Sequence, residues 1–143
     1  MHRRLAWGLI LWALLAGSAP AQFPVDPAGR EIVVDLVPTD RAGKAAGKLR
    51  LKPRTARLEV SGLLPGGVYT VRLLRERPFE SRGLGPRPHS FQADAEGRAA
   101  FDAPLTLSER VKWQLLLISY HPGGDPSDTR DVKPVLRARL PDR

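Results

Sequence analysis

Residues 48–62 read Lys48-Leu49-Arg50-Leu51-Lys52-Pro53-Arg54-Thr55-Ala56-Arg57-Leu58-Glu59-Val60-Ser61-Gly62. Apolar and charged side chains alternate on both sides of Pro53-Arg54-Thr55. Successive side chains of a strand point to opposite faces, so a period of two marks a strand with one buried and one wet face. Proline suits the first corner of a turn, where its fixed φ is already correct. The stretch therefore predicts two strands, 48–52 and 56–61, joined tightly and sending Leu49, Leu51, Ala56, Leu58 and Val60 into one core.

The same grammar extends in both directions. Residues 31–37 are rich in β-branched side chains and stop at Pro38. Residues 68–74 place Tyr69, Val71 and Leu73 on one face. Residues 89–93 and 98–101 flank Asp94-Ala95-Glu96-Gly97, which predicts a hairpin with glycine closing the turn. Leu115-Leu116-Leu117-Ile118, inside the apolar run 112–120, is apolar on both faces and belongs in the centre of a sheet. Residues 135–140 alternate Leu136, Ala138 and Leu140 with Arg137 and Arg139. Between them lie turn-forming stretches rich in Pro and Gly, of which 75–88 is the longest without a strand pattern. Only 105–111 suits a helical turn, with Ser108 as its cap. Seven to eight short strands at turn-bounded spacing predict an all-β domain, an Ig-like or Greek-key β-sandwich whose loops gather at its two ends.

The amino terminus carries a different signal. Met1-His2-Arg3-Arg4 is followed by an apolar run from Leu5 and by Ala16-Gly17-Ser18-Ala19-Pro20-Ala21. A basic start, a short apolar segment and a small-residue Ala-x-Ala end have the layout of a secretory signal peptide. The apolar run is well short of the ~20 residues that span a bilayer. The expectation is a signal peptide over 1–21, an extended lead-in over 22–30 and a single domain over 31–143, exported to a periplasm or to the outside of the cell. No later segment is apolar enough to anchor the chain once the signal is cut.

Of the 143 residues, 23 are Lys or Arg and 15 are Asp or Glu, giving a net charge of +8; removing Arg3 and Arg4 with the signal leaves +6. Cysteine is absent, so packing alone must hold the exported domain. Asparagine is also absent and Met1 is the only methionine, which fits a heat-adapted protein, although 18 Arg against 5 Lys fit a GC-rich genome equally well.

Chemistry is sparse. His89 and His121 are the histidines that remain after the signal, and two imidazoles supply half of a four-ligand metal site at most. Both read as surface-loop residues. No serine sits in a Gly-x-Ser-x-Gly elbow, and 62–67 lacks the lysine and helix of a phosphate loop. The expectation is a non-catalytic protein with no cofactor. In 121–131, Asp125, Asp128 and Asp131 could offer oxygens to calcium, but ordinary turn chemistry accounts for them better. Trp113 is expected in the core.

Two stretches could bind a partner. From Arg41 to Arg57 seven cations occur without an acid, and Lys48, Arg50 and Lys52 fall on one strand face. That stripe suits a polyanion, or it blunts an edge strand against pairing with another chain. Edge protection is favoured because no aromatic residues interleave for base stacking. The second stretch, 75–88, holds Arg75, Arg77, Arg82 and Arg87 around Phe79, an aromatic anchor among arginines of the kind enriched at interface hot spots.

Leu58-Glu59-Val60-Ser61-Gly62-Leu63, Pro65-Gly66, Tyr69 and the turn 91–99 resemble two exported β-sandwich families. One is the copper/zinc superoxide dismutase-like sandwich. That resemblance implies a metal-binding strand where this chain has Arg72 and Leu74 in place of a His-x-His pair, with His121 echoing a later ligand. The other is the extracytoplasmic domain of anti-sigma-K-type regulators, which is similar in the Ala-Asp-x-x-Gly-Arg-Ala turn and in Pro122-Gly123-Gly124-Asp125-Pro126. Both imply an all-β fold. The functional expectation is a domain that binds a protein or cell-envelope partner through its loops. The alternatives are a polyanion-binding module on 41–57 and a degenerate dismutase-like metal-binding domain.

Overall fold

The computed structural model describes residues 30–40 and 43–142. The expected signal peptide over 1–21, most of the expected lead-in and Arg41 lie outside the described residues.

Within them the chain is all-β, with one short helix. The strands are β1 (Ile32–Pro38), β2 (Ala46–Leu51), β3 (Thr55–Ser61), β4 (Val68–Arg75), β5 (Glu80–Gly83), β6 (Ser90–Gln92), β7 (Ala99–Pro104), β8 (Leu115–His121) and β9 (Lys133–Arg139); α1 (Leu107–Lys112) precedes β8. They form one curled antiparallel sheet in the order β5-β4-β8-β9-β1-β2-β3-β7, with β6 also pairing β4. The curl resembles half of a barrel.

β1 makes the corner. Its residues Ile32 to Leu36 pair with β2, and Val37 and Pro38 then pair with Arg137 and Leu136 of β9. One strand thus passes from one limb of the sheet to the other. Gly47 sits opposite Leu36 at this bend. A side chain there would lie 2.7 Å from the Glu59 carbonyl oxygen and 2.8 Å from Leu36 Cδ1, so only glycine lets the strands pack this closely.

The predicted inward faces are the buried ones. Leu49, Leu58, Val71, Leu73, Leu116, Ile118 and Leu136 are fully buried and form one cluster with Leu51, Ala56, Val60 and Tyr69. Aromatic packing bridges the open side of the curl: Tyr69 stacks on Phe91 at 5.5 Å, and Phe91 tilts against Phe101 of β7 at 5.9 Å. Trp113 is buried, as expected.

Several expectations are corrected. The β2 strand is internal, paired to β1 on one side and β3 on the other, so the basic stripe does not guard an edge. Residues 75–88 are not one irregular loop: β5 folds back on β4, pairing Arg75 with Glu80 and Arg72 with Gly83. Its four residues carry no apolar alternation, which hid it. The turn at 94–97 forms, with Asp94 Oδ1 accepting from the Glu96 and Arg98 amides at 2.9 and 2.8 Å. It does not close a hairpin, because β6 pairs with β4 and β7 pairs with β3. The helix is capped by Thr106, not Ser108, in a reciprocal capping box with Glu109.

Candidate functional site

Antiparallel register brings particular loops together. Leu74 lies opposite Leu115, and Arg75 opposite Glu80, so the β4–β5 turn and α1 occupy the same end of the sheet. Gln114 ties them: its amide donates to the Leu74 carbonyl at 3.0 Å, and its side-chain oxygen accepts from the Glu76 amide at 3.2 Å. The β2–β3 turn and residues 140–142 join this end through the pairs Ile32–Leu51 and Leu115–Arg139.

Phe79 stands in the β4–β5 turn with 74% of its surface exposed, the highest value among the large apolar residues described. On α1, Leu107 and Val111 are one helical turn apart and both exposed. Arg54, Arg77 and Lys112 are exposed at the same end. The end is therefore apolar at its knobs with charges of both signs around them, since exposed Glu76 and Asp142 stand with Arg54, Arg77 and Lys112.

The arginines of 75–88 divide into two kinds. Arg75 bonds to Glu80, and Arg82 reaches from β5 to Glu109 of α1. Arg82 also lies over the Trp113 ring at 5.6 Å, with Lys112 over the same ring at 5.0 Å. Arg75 ties the hairpin together and Arg82 braces it against the helix. Arg77 and Arg87 are exposed. The amide of Thr106, the largest contributor, together with Arg82 and the Thr106 hydroxyl, holds the Glu109 carboxyl below its ordinary pKa against the opposing effect of burial.

The basic stripe is matched by neighbouring strands. Lys48 bonds to Asp35 of β1 at 2.9 Å, and Arg50 bonds to Glu31 and Glu59 at 3.2 Å each. Arg57 pairs with Asp102 of β7 at 2.7 Å. The Glu59 carboxyl is accordingly held low, mainly by Arg50. The chain supplies its cations in one run and the acids from β1, β3 and β7, so the run looked more basic than the folded face is. Lys52 lies past the end of β2 and is exposed. A depression of about 720 Å³ beside Lys48, floored by Ala46, Gly47 and Ala99, had no sequence signature.

His121 is a correction. It is the last residue of β8 and only 5% exposed. Nε2 lies 2.8 Å from Thr70 Oγ1, and Nδ1 lies 3.1 Å from the Asp128 carbonyl oxygen. Thr70, Ser119 and His121 are all buried on the face of β4 and β8 opposite Val71 and Ile118, where strand patterning would place solvent. Both imidazole nitrogens are thus engaged within the protein. Arg72 and Leu74, the positions the dismutase resemblance points to, lie further along β4, and Arg72 donates to Ser81 Oγ at 2.8 Å. His89 Nδ1 lies 2.7 Å from the Gly85 carbonyl oxygen.

The aspartates of 121–131 act in turns. Asp125 accepts from the Ser127 amide and hydroxyl at 2.9 and 2.6 Å, and Asp128 accepts from the Arg130 amide and guanidinium at 2.9 to 3.0 Å. Among the described residues, no three His, Cys, Asp or Glu side chains converge as a metal-ligand set.

No sequence pattern marks Arg110. It is 5% exposed, and its Nε and Nη1 are buried without a hydrogen-bond partner. Burial lowers its basicity, with no acid to offset the effect. Nothing in a helix of one and a half turns told this inward arginine from the outward Lys112.

No protein-family model, no curated protein and no solved structure matches this chain.

Proposed function

We propose that the protein is a non-catalytic exported domain that binds a protein or cell-envelope partner through the end formed by the β4–β5 turn and α1. The single observation that carries this reading is the exposure of Phe79 among arginines on a turn that Gln114, Arg75 and Arg82 hold rigid. An aromatic ring costs apolar solvation when left in water and gains it back when a partner covers it. A braced turn also loses little conformational entropy on binding. The exposed Arg77, Arg54 and Lys112 suit a partner with an acidic rim.

Export rests on the layout of residues 1–21, and the curled sheet is read as two facing layers with Greek-key links. The limbs β1-β2-β3-β7 and β5-β4-β8-β9 support that reading. So do the β3–β4, β6–β7 and β7–β8 connections, each of which passes between limbs.

A photo-crosslinking residue placed at Phe79 in the full chain, expressed in a Gram-negative host, tests the docking end. The expected result is a discrete adduct in the envelope fraction that is absent when the same probe replaces Val33 on the sheet face. Equal labelling from both positions, or none from either, contradicts the proposal.

A further inference from the structure

Eight ion pairs join arginines and lysines of the described residues to acids, and Arg110 is in none of them. A guanidinium stays protonated even when desolvated, so a buried one needs a counter-charge or hydrogen-bond acceptors. Arg110 has neither at Nε or Nη1. It lines a cavity of about 570 Å³ between α1 and the end of β9, with Val34, Val111, Leu140 and Pro141 as apolar walls and Arg139 beside them. That volume lies within the range of small-molecule sites, as does the combination of apolar lining with a few polar groups.

We propose that this cavity binds a small aliphatic carboxylate, with the carboxylate on the Arg110 guanidinium and the apolar body against Val34, Val111 and Leu140. A guanidinium gives a carboxylate charge-assisted hydrogen bonds, and a small turn of the Arg110 side chain would bring Nε and Nη1, which have no open surface of their own, to pair with it. A dianionic phosphate fits less well, because the wall also contains Asp142 and offers one buried cation only. The site shares Val111 with the docking end but not Phe79 or Arg77, so hexanoate binding and crosslinking at Phe79 can fail separately.

The experiment is calorimetric titration of the protein with hexanoate, with hexanol and inorganic phosphate as controls, repeated on Arg110→Met and Arg110→Lys. Hexanoate is expected to bind saturably, at least tenfold tighter than hexanol or phosphate. Arg110→Met should weaken it at least tenfold while leaving the ligand-free melting temperature unchanged or higher, since an uncompensated buried charge is gone. Arg110→Lys, which keeps the charge and loses the planar fork, should also weaken binding and serves if the methionine variant does not fold. In the unmodified protein, the Arg110 Nε–H resonance should shift on adding hexanoate. The proposal is overturned if hexanol binds as well as hexanoate, if phosphate binds more tightly, if the folded variants bind like the parent, or if the Arg110 resonance does not respond.

Discussion

Thr70 and His121 face each other out of reach of solvent, on a sheet face otherwise built of Arg72, Leu115 and Leu117. Replacing Thr70 by Val removes one partner and leaves an imidazole nitrogen buried and unmatched. Such a group costs about 1–3 kcal/mol, and chemical denaturation of Thr70→Val should show a loss in that range. A variant as stable as the parent contradicts the buried pairing. Gly62 makes a second residue-level case. Its φ is +67°, and a Cβ would sit 2.1 Å from the Lys44 carbonyl oxygen. Gly62→Ala should therefore cost at least about 2 kcal/mol by the same measurement, since backbone strain and a steric clash add. Single residues were the least legible part of the sequence. Gly62 could be recognised as a break, but the partner it must accommodate is 18 positions away along the chain. His121 looks like the start of a polar loop because Pro122 follows it, yet it is buried between Thr70 and the Asp128 carbonyl, neither of which adjoins it along the chain.

Elements were easier to read, for a physical reason. In β2, β3 and β9 one face is buried and the other largely wet, so side-chain polarity itself records the strand period. β5 bears no such record, because Glu80, Ser81 and Arg82 interact with neighbouring polar side chains instead of a core. The helix shows the same limit. Its capping box depends on Thr106 and Glu109 acting together, and the serine between them is only a neighbour. Thr106→Ala should lower stability by about 1 kcal/mol, measured by urea unfolding. The depressed Glu109 carboxyl adds a pH signature. A carboxyl held below its unfolded pKa contributes stability in full above that value, near 4.5, and the contribution is lost as pH falls through the folded pKa. Thermal melts of Glu109→Gln should thus lie below those of the parent at pH 7, and the gap should narrow below about pH 4. A constant gap would assign Glu109 a role independent of its charge.

At the scale of the molecule, the all-β class was legible and the strand pairing was not. Sequence adjacency suggests that β6 and β7 form a hairpin around Gly97; instead each joins a strand on a different limb, and Phe91 meets Phe101 through their side chains. Pairing partners are chosen by which apolar faces can be covered at once, and that is a property of the whole chain. The basic run was misleading for the same reason, since its acids arrive from β1 and β7 and from Glu59, two positions past its end. With no disulfide available, burial in the single apolar cluster must hold the fold. We expect the domain to melt above about 65 °C, in line with the scarcity of thermolabile residues; a midpoint in the ordinary mesophile range contradicts that adaptation. The two limbs of the sheet are joined as described only if β1 turns the corner and β6 parts from β7. Nuclear Overhauser contacts between backbone protons test this most directly. Contacts of Val37 with Arg137, of Ile32 with Leu51 and of Phe91 with Tyr69 are predicted in the same molecule. A continuous backbone ladder between residues 90–92 and 99–101 would contradict the fold and the way its two limbs are joined.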